Sequence, residues 1–434
     1  MRRTFLKYLS LQAMALLSLT AFSQGNTNTI SPYSNFGIGD LTNTSTSHFK
    51  GMGGIGVGMF SDRYINLSNP ASYSNLKLTN FEFGMNGSLV KLDQGNLSQE
   101  ENFANFSHLV FAAPFGEKWS GAFGLIPISH IGYEAVITDV QDLPGDTAKY
   151  KLIHKGEGGL NQAFVGGAYK LNDDLSIGLN VNFIYGQIET IRDEQYEDPT
   201  YLSTRRTQEV NIQDMSYTFG LQYNKALSEE RFLSAGITYK AKTDLASEER
   251  LFVNSYSNSG FLNSLVDTLV DKKIQEGDVT LPSEIGIGFG LRQLNKWNVG
   301  ADLRMINWSE FSKFGVKDNA LKDMMSVAVG GSYTPNYKDI RKFLNRIEYR
   351  GGIRYTDGLV SLSIEDDVSN TDITEFGINF GFGIPVRKNG STLNLDFELG
   401  QRGTDDNSLV KEDYFKFQVS MSLRDKWFVR RKID

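Results

Sequence analysis

Four histidines, a glycine run and two acid pairs are the residues here whose types and spacing could do chemistry. The histidines are His48, His108, His130 and His154. A metal site or a catalytic base needs its ligands at close, regular spacing, and these four show none. They read as scattered barrel histidines. Gly51-x-Gly53-x-x-Gly56 fits, by letter, the loop that cradles a dinucleotide's phosphates. That loop must follow a strand and open a helix. No strand pattern precedes Gly51 and no amphipathic pattern follows Gly56. The glycines therefore read as close backbone packing in a confined space. Asp366-Asp367 and Asp405-Asp406 fall between strand-like segments and read as solvated turns or weak divalent-cation contacts. No Gly-x-Ser-x-Gly elbow is evident. The 434 residues include no cysteine, which excludes thiol nucleophiles, disulfides and thiolate metal sites. The expectation is a protein that is not an enzyme and holds no metal or cofactor.

The elements around these residues point to a membrane wall. Arg2, Arg3 and Lys7 precede an apolar run from Tyr8 to Phe22, and Ala21-Phe22-Ser23 has the small-x-small shape of a cleavage site. Residues 1–23 read as a signal peptide. The chain carries 44 basic and 51 acidic residues, a net charge of −7. Removing the three leader cations takes this to about −10, a balance that argues against a nucleic-acid partner. Glycine is abundant at 43, with 29 Phe and 19 Tyr. In a β-patterned chain this suits small lumen positions and aromatic girdles.

From Leu78 onward, apolar and polar residues alternate. Leu175, Ile177, Leu179, Val181 and Phe183 interleave with Ser176, Gly178, Asn180 and Asn182. Ile285, Ile287, Phe289 and Leu291 interleave with Gly286, Gly288 and Arg292. Successive strand residues point to opposite faces, so each segment has one apolar and one polar face. About fourteen such segments can be counted, an even number as bacterial barrels require. They begin near Leu78, Ala104, Trp119, Gly158, Leu175, Gln208, Arg231, Leu281, Lys296, Asp323, Arg346, Thr371, Ser391 and Glu412. Short links alternate with long ones such as Thr138–Glu157, Thr190–Thr207 and Lys242–Thr280. Asn336 to Asn345 is longer than its place predicts. The expected fold is all-β: a transmembrane antiparallel barrel with an N-terminal hatch in its lumen. Residues 24–76 would form the N-terminal segment and hatch, 77–426 the barrel, and 427–434 a periplasmic tail. By alternation the lumen should hold Glu82, Glu284, Arg292, Asp302, Arg304, Glu348, Arg350, Arg354, Asp396, Glu398 and Lys416. Both signs of charge suit a network that holds a plug. The longest link carries Phe261, Leu262, Leu265 and Leu269, spaced as a short amphipathic helix or an apolar ridge. Such a surface either catches a hydrophobic ligand or packs over the barrel mouth.

Several of these stretches resemble the FadL family of outer-membrane transport proteins for hydrophobic compounds. Asn69-Pro70-Ala71, after the run Gly51, Gly53, Gly54, Gly56 and Gly58, resembles its hatch signature. Leu281-Pro282-Ser283 opening into Ile285-Gly286-Ile287-Gly288 resembles its mid-barrel pattern. Trp308-Ser309 following Asp302-Leu303-Arg304, Arg350 to Tyr355, and Gly381 to Pro385 resemble further strands. The resemblance implies fourteen strands, a luminal hatch and a kinked third strand that opens sideways. Pro127 falls where that kink would be. Proline gives no N–H to a ladder, so a bulge or a break is expected there. Pro127, Ser129, His130 and Gly132 are then either a lateral opening or an ordinary bulge near the outer rim. Two functions are read from this, the first as the expectation and the second as its alternative. One is uptake of a hydrophobic small molecule through the outer membrane by way of the loops and the third strand. The other is a scaffold subunit, bound to outer-membrane lipid and protein partners of a secretion or insertion assembly.

Overall fold

The computed structural model describes residues 28–143, 146–259, 262–358, 360–363, 370–386, 390–406 and 409–426. The expected signal peptide and C-terminal tail, together with Asp366-Asp367 and Phe261, lie outside the described residues. The chain opens with β1 (Asp40–Leu41) and the single helical turn α1 (Ser47–Lys50). The first third of the wall is β2 (Thr79–Gln94), β3 (Leu97–Phe115), β4 (Trp119–Pro127), β5 (Ser129–Leu143), β6 (Asp146–Lys170) and β7 (Leu175–Tyr196). The middle is β8 (Ser203–Ala226), β9 (Arg231–Lys240), β10 (Thr243–Ser259), β11 (Leu262–Leu281), β12 (Glu284–Gln293) and β13 (Trp297–Ile306). Small strands β14 (Ser312–Lys313) and β15 (Val316–Lys317) precede β16 (Met324–Tyr333) and β17 (Glu348–Asp357). After β18 (Ser361–Ser363) and β19 (Asn370–Asp372) the wall ends with β20 (Glu375–Pro385), β21 (Thr392–Arg402) and β22 (Lys411–Asp425).

These strands make a closed antiparallel barrel of fourteen staves. β22 returns to β2, with Thr79 opposite Asp425, so no edge is left where the ring closes. Three staves are interrupted. β4 continues as β5 after Ile128, β9 continues as β10, and β11 leads into β12. Outward residues such as Phe83, Phe123, Leu179, Phe219, Phe289, Val329 and Ile378 are exposed, and inward neighbours such as Ser176, Asn180, Asp302 and Arg350 are buried. An apolar outer band over a polar interior is the pattern of a wall standing in lipid.

The long links differ from expectation. β5 and β6 stay paired up to Leu143 opposite Asp146. β7 and β8 stay paired to Glu194 opposite Thr204, and β10 and β11 to Ser259 opposite Leu262. Thr138–Glu157, Thr190–Thr207 and Lys242–Thr280 are therefore tall hairpins rather than loops. Above the lipid both faces of a strand meet water, so the ladder continues where the alternation signal fades. The expected helix or ridge at Leu262, Leu265 and Leu269 is strand β11. Its pairing with β10 shifts register between Val253 and Asn254 and between Ser255 and Tyr256. Leu265, Val266 and Leu269 are exposed there.

Placing Phe289→Arg in the middle of the outer band should lower barrel stability by about 2–4 kcal/mol. Urea titration of the barrel folded into bilayers checks this; an unchanged midpoint would place Phe289 away from lipid.

Candidate functional site

The lumen is occupied by residues 29–76. Polar and glycine-rich, this segment forms little regular structure: a 3-10 turn at Pro32–Asn35, then β1, α1, and a 3-10 helix at Pro70–Asn75. Asn69 caps that last helix by accepting from the Ala71 amide at 3.0 Å. Phe49, Met52, Ile55 and Met59 are fully buried. Each contributes roughly 1.5–3 kcal/mol relative to an exposed side chain.

The wall approaches this segment through glycine. A Cβ on Gly236 would meet the Val57 carbonyl, and one on Gly288 would meet the Gly58 amide. Gly330 and Gly352 face the Met52 carbonyl group in the same way. Gly178 and Gly220 face Pro70. These glycines sit on β9, β12, β16, β17, β7 and β8, so backbone lies on backbone around much of the ring. Any larger residue would hold the segment off the wall.

One carboxylate fastens the glycine run. Asp302, on β13 and buried, accepts the amides of Gly56 at 2.5 Å, Val57 at 2.7 Å and Gly58 at 3.4 Å. Three successive N–H groups converging on an anion form a nest. Asn66 donates to the Gly56 carbonyl at 2.6 Å and to the Met59 carbonyl at 3.2 Å. Asn69 bridges the Val57 carbonyl, at 2.9 Å, to the wall carbonyl of Leu221, at 3.0 Å. Gln222 donates to the Met59 carbonyl at 2.9 Å and accepts from Asn75 at 2.7 Å. Tyr64 donates to Glu348 at 2.8 Å, and Glu348 is paired with Arg350 at 3.2 Å. The His48 ring stacks on Tyr64 with centroids 3.8 Å apart. Burial pushes the His48 pKa down to about 3 from its ordinary 6.5. The neutral ring is thus the docked form, and docking weakens as the pH falls from about 6.5 towards about 3.

Of the expected hatch residues, Gly51, Gly53, Gly58, Asn69, Pro70 and Ala71 lie against wall residues, Gly56 reaches the wall through its amide, and a Cβ on Gly54 would meet Asn43 of the segment itself. Gly53 and Gly54 have φ of +78° and +82°, where other residues are strained.

Pro127 ends β4 and β5 starts at Ser129. The ladder between β3 and β4 stops at Leu109 opposite Leu125. Beyond it, residues 97–108 of β3 pair only with β2 among the described residues. On the β5 side, β1 takes the vacated edge, with Leu41 opposite Ser129 and Asp40 opposite His130. Thr42 donates from its hydroxyl to the Pro127 carbonyl at 2.6 Å, and the Gly132 amide donates to Ser34 at 3.1 Å. Arg402 pairs with Asp40 at 2.6 Å and also donates to Ser31 at 2.7 Å and Glu412 at 2.8 Å. The wall break therefore meets a polar, charge-paired stretch of the N-terminal segment. Towards the tall hairpins lies a cavity of about 260 Å³. Ile38, Leu41, Ile128, Leu281, Ile306, Trp308, Lys240, Arg304 and Arg354 are among its lining residues. Leu265 and Leu269 are not.

Asp302 was legible as a lumen residue, but not as the anchor of Gly56–Gly58. The strand glycines carried the missing signal: Gly178, Gly286 and Gly288 recur on the polar face of their strands. Nothing in the sequence singled out Asp40-Leu41 as an added strand.

A family model described as BamG matches residues 5–434. No curated protein matches the sequence. Among solved structures, the chain is similar to the Ralstonia pickettii toluene transporter TbuX, at 15% identity and a TM-score of 0.56, covering 91% of this chain and 99% of that one. It is similar to the P. putida toluene transporter TodX at 16% identity and 0.55, with the same coverage. A Pseudomonas aeruginosa FadL homologue follows at 12% and 0.52, covering 88% and 98%. At these identities the likeness is one of fold.

Asp302→Ala leaves three buried amides without their acceptor, at about 1–3 kcal/mol each. The variant should keep a folded barrel, read by heat-dependent gel mobility, while protease cleaves between residues 45 and 65. Resistance equal to the parent would show that Asp302 does not hold the segment.

Proposed function

The chain belongs to the BamG family, and from that we propose that it is a bacterial outer-membrane barrel with a fixed plug, a scaffold subunit of a protein secretion or insertion assembly. The observation that carries this reading is the fit of residues 51–71 to the wall. A gate must leave its seat at modest cost. Here, departure would strip Asp302 of three backbone donors and expose four fully buried apolar side chains. It would also open a row of wall glycines to water. A barrel sealed in this way presents surfaces rather than a path. Its partners are then other outer-membrane proteins and the surrounding lipid.

A second reading has its own support. The cavity near Trp308 and the broken ladder after Pro127 are the parts that uptake of a hydrophobic small molecule would use. The ligand would be captured at the outer end, pass the hatch and leave sideways between β3 and β5. The charge pairs of Asp40, Arg402 and Glu412 stand against it, because an apolar ligand would cross them without satisfying them.

Purification of the full-length protein from native membranes in mild detergent separates the two. The scaffold reading expects stoichiometric protein partners that survive in Asp302→Ala only if the plug is dispensable for docking. A lone barrel carrying a bound hydrophobe would favour uptake. Pro127→Val tests the exit directly: uptake by the lateral route should fall while barrel assembly is unchanged, and undiminished uptake would remove that route.

A further inference from the structure

We propose that the link between β16 and β17 is a lipid anchor that seats on an anionic phospholipid surface. It lies at the end of the barrel that holds Thr79 and Asp425, where its neighbours are tight turns. The link presents apolar residues to solvent: Ile340 is 94% exposed, Leu344 66% and Phe343 46%. An ordinary turn has no use for such residues.

The link is built rather than loose. Asp339 accepts the amides of Arg341 at 2.8 Å and Lys342 at 2.9 Å, and takes Asn345 at 2.6 Å. The Asn336 amide donates to the Asn345 carbonyl at 2.7 Å, closing the base. The only acid of the link is thereby turned inward onto its own backbone. Lys338, Arg341 and Lys342 are left exposed, and none of the three forms an ion pair among the described residues, although the Lys338 ammonium lies 5.4 Å from the Tyr337 ring centroid. On a chain with net charge −7 this is a local basic cluster.

Its position selects lipid as the occupant. Tyr349 alternates with the inward Glu348 and Arg350, so it faces outward at the rim. Its hydroxyl donates to the Leu344 carbonyl at 3.2 Å, and its ring lies 5.9 Å from that of outward Phe382. The 3-10 turn Phe343–Arg346 therefore continues the lipid-facing wall instead of standing off it. Aromatic and aliphatic residues at a rim sit at headgroup level, with lysine and arginine reaching anionic phosphates. Phe343 and Leu344 would enter the acyl boundary, and Arg341 and Lys342 would meet the headgroups, while Tyr337, Lys338 and Ile340 border the barrel mouth beside Asp62 and Arg63. The inference is independent of whether the barrel scaffolds or transports.

The absence of native cysteine allows a clean test. Leu344→Cys in the full-length protein is labelled with an environment-sensitive fluorophore and folded into vesicles. One set is phosphatidylcholine alone and the other contains about one third phosphatidylglycerol. Ser228→Cys in a short turn and Phe380→Cys in the outer band give the water and lipid references. Heat-dependent gel mobility confirms folding of each. The expected result is a blue-shifted probe, protected from iodide, in the anionic vesicles. That protection should be lost in Arg341→Gln/Lys342→Gln. A probe that matches Ser228 in both vesicle types overturns the proposal and leaves the link free for a protein partner. Equal protection in both types overturns the headgroup role of the cations.

Discussion

Backbone seated on backbone, with one carboxylate at its centre, is the constraint on which the rest of this molecule depends. Gly56, Val57 and Gly58 direct their amides at Asp302, and Gly236 and Gly288 let that stretch lie flat on the wall. The two features need each other. A side chain on the wall would lift the amides out of hydrogen-bonding range of Asp302. Without the amides, Asp302 would be a buried charge lacking backbone donors, which is costly. The same reciprocity runs along the segment. Asn69 joins the plug carbonyl of Val57 to the wall carbonyl of Leu221, and Gln222 reaches back to Met59.

The charges arrange themselves around this core. Arg350 pairs with Glu348 and Asp396, and Arg354 with Glu375 and Glu398. Arg402 gathers Asp40 and Glu412 beside the wall break. A lumen wired in this way is polar from the interior contact to the break, and the cavity on the side of the tall hairpins is itself of mixed lining, with Lys240, Arg304, Arg354 and Arg402 beside Ile38, Leu41, Ile128 and Trp308. Fold likeness to toluene transporters thus coexists with an interior that differs from an apolar conduit. The architecture is shared, and a shared architecture does not by itself fix what the chain does.

Much of the fold was legible because lipid imposes a strict pattern. Where a strand crosses the bilayer its outward residues must be apolar, and the starts at Trp119, Leu175 and Arg231 coincide with the observed strands. Where the strands rise above the lipid that rule lapses. β6 begins at Asp146 instead of Gly158, and β8 at Ser203 instead of Gln208. Of the two readings near Leu265, a short helix or an apolar ridge, the helix failed: spacing by three and four also arises in a bulged strand, which here carries Leu265, Val266 and Leu269 exposed. The interior contact was half visible. Glycine excess pointed to tight packing, but which wall glycine meets which plug residue depends on barrel closure. No local pattern encodes that.

The central claim is that residues 51–71 are a permanent part of the barrel interior. Amide hydrogen exchange of the full-length protein in lipid bilayers, followed by mass spectrometry, tests it most directly. The account predicts that peptides covering Gly51 to Ala71 exchange as slowly as those from β13 and β17. Exchange of that stretch within minutes, while β13 and β17 stay protected, would show a plug that leaves its seat and would contradict it.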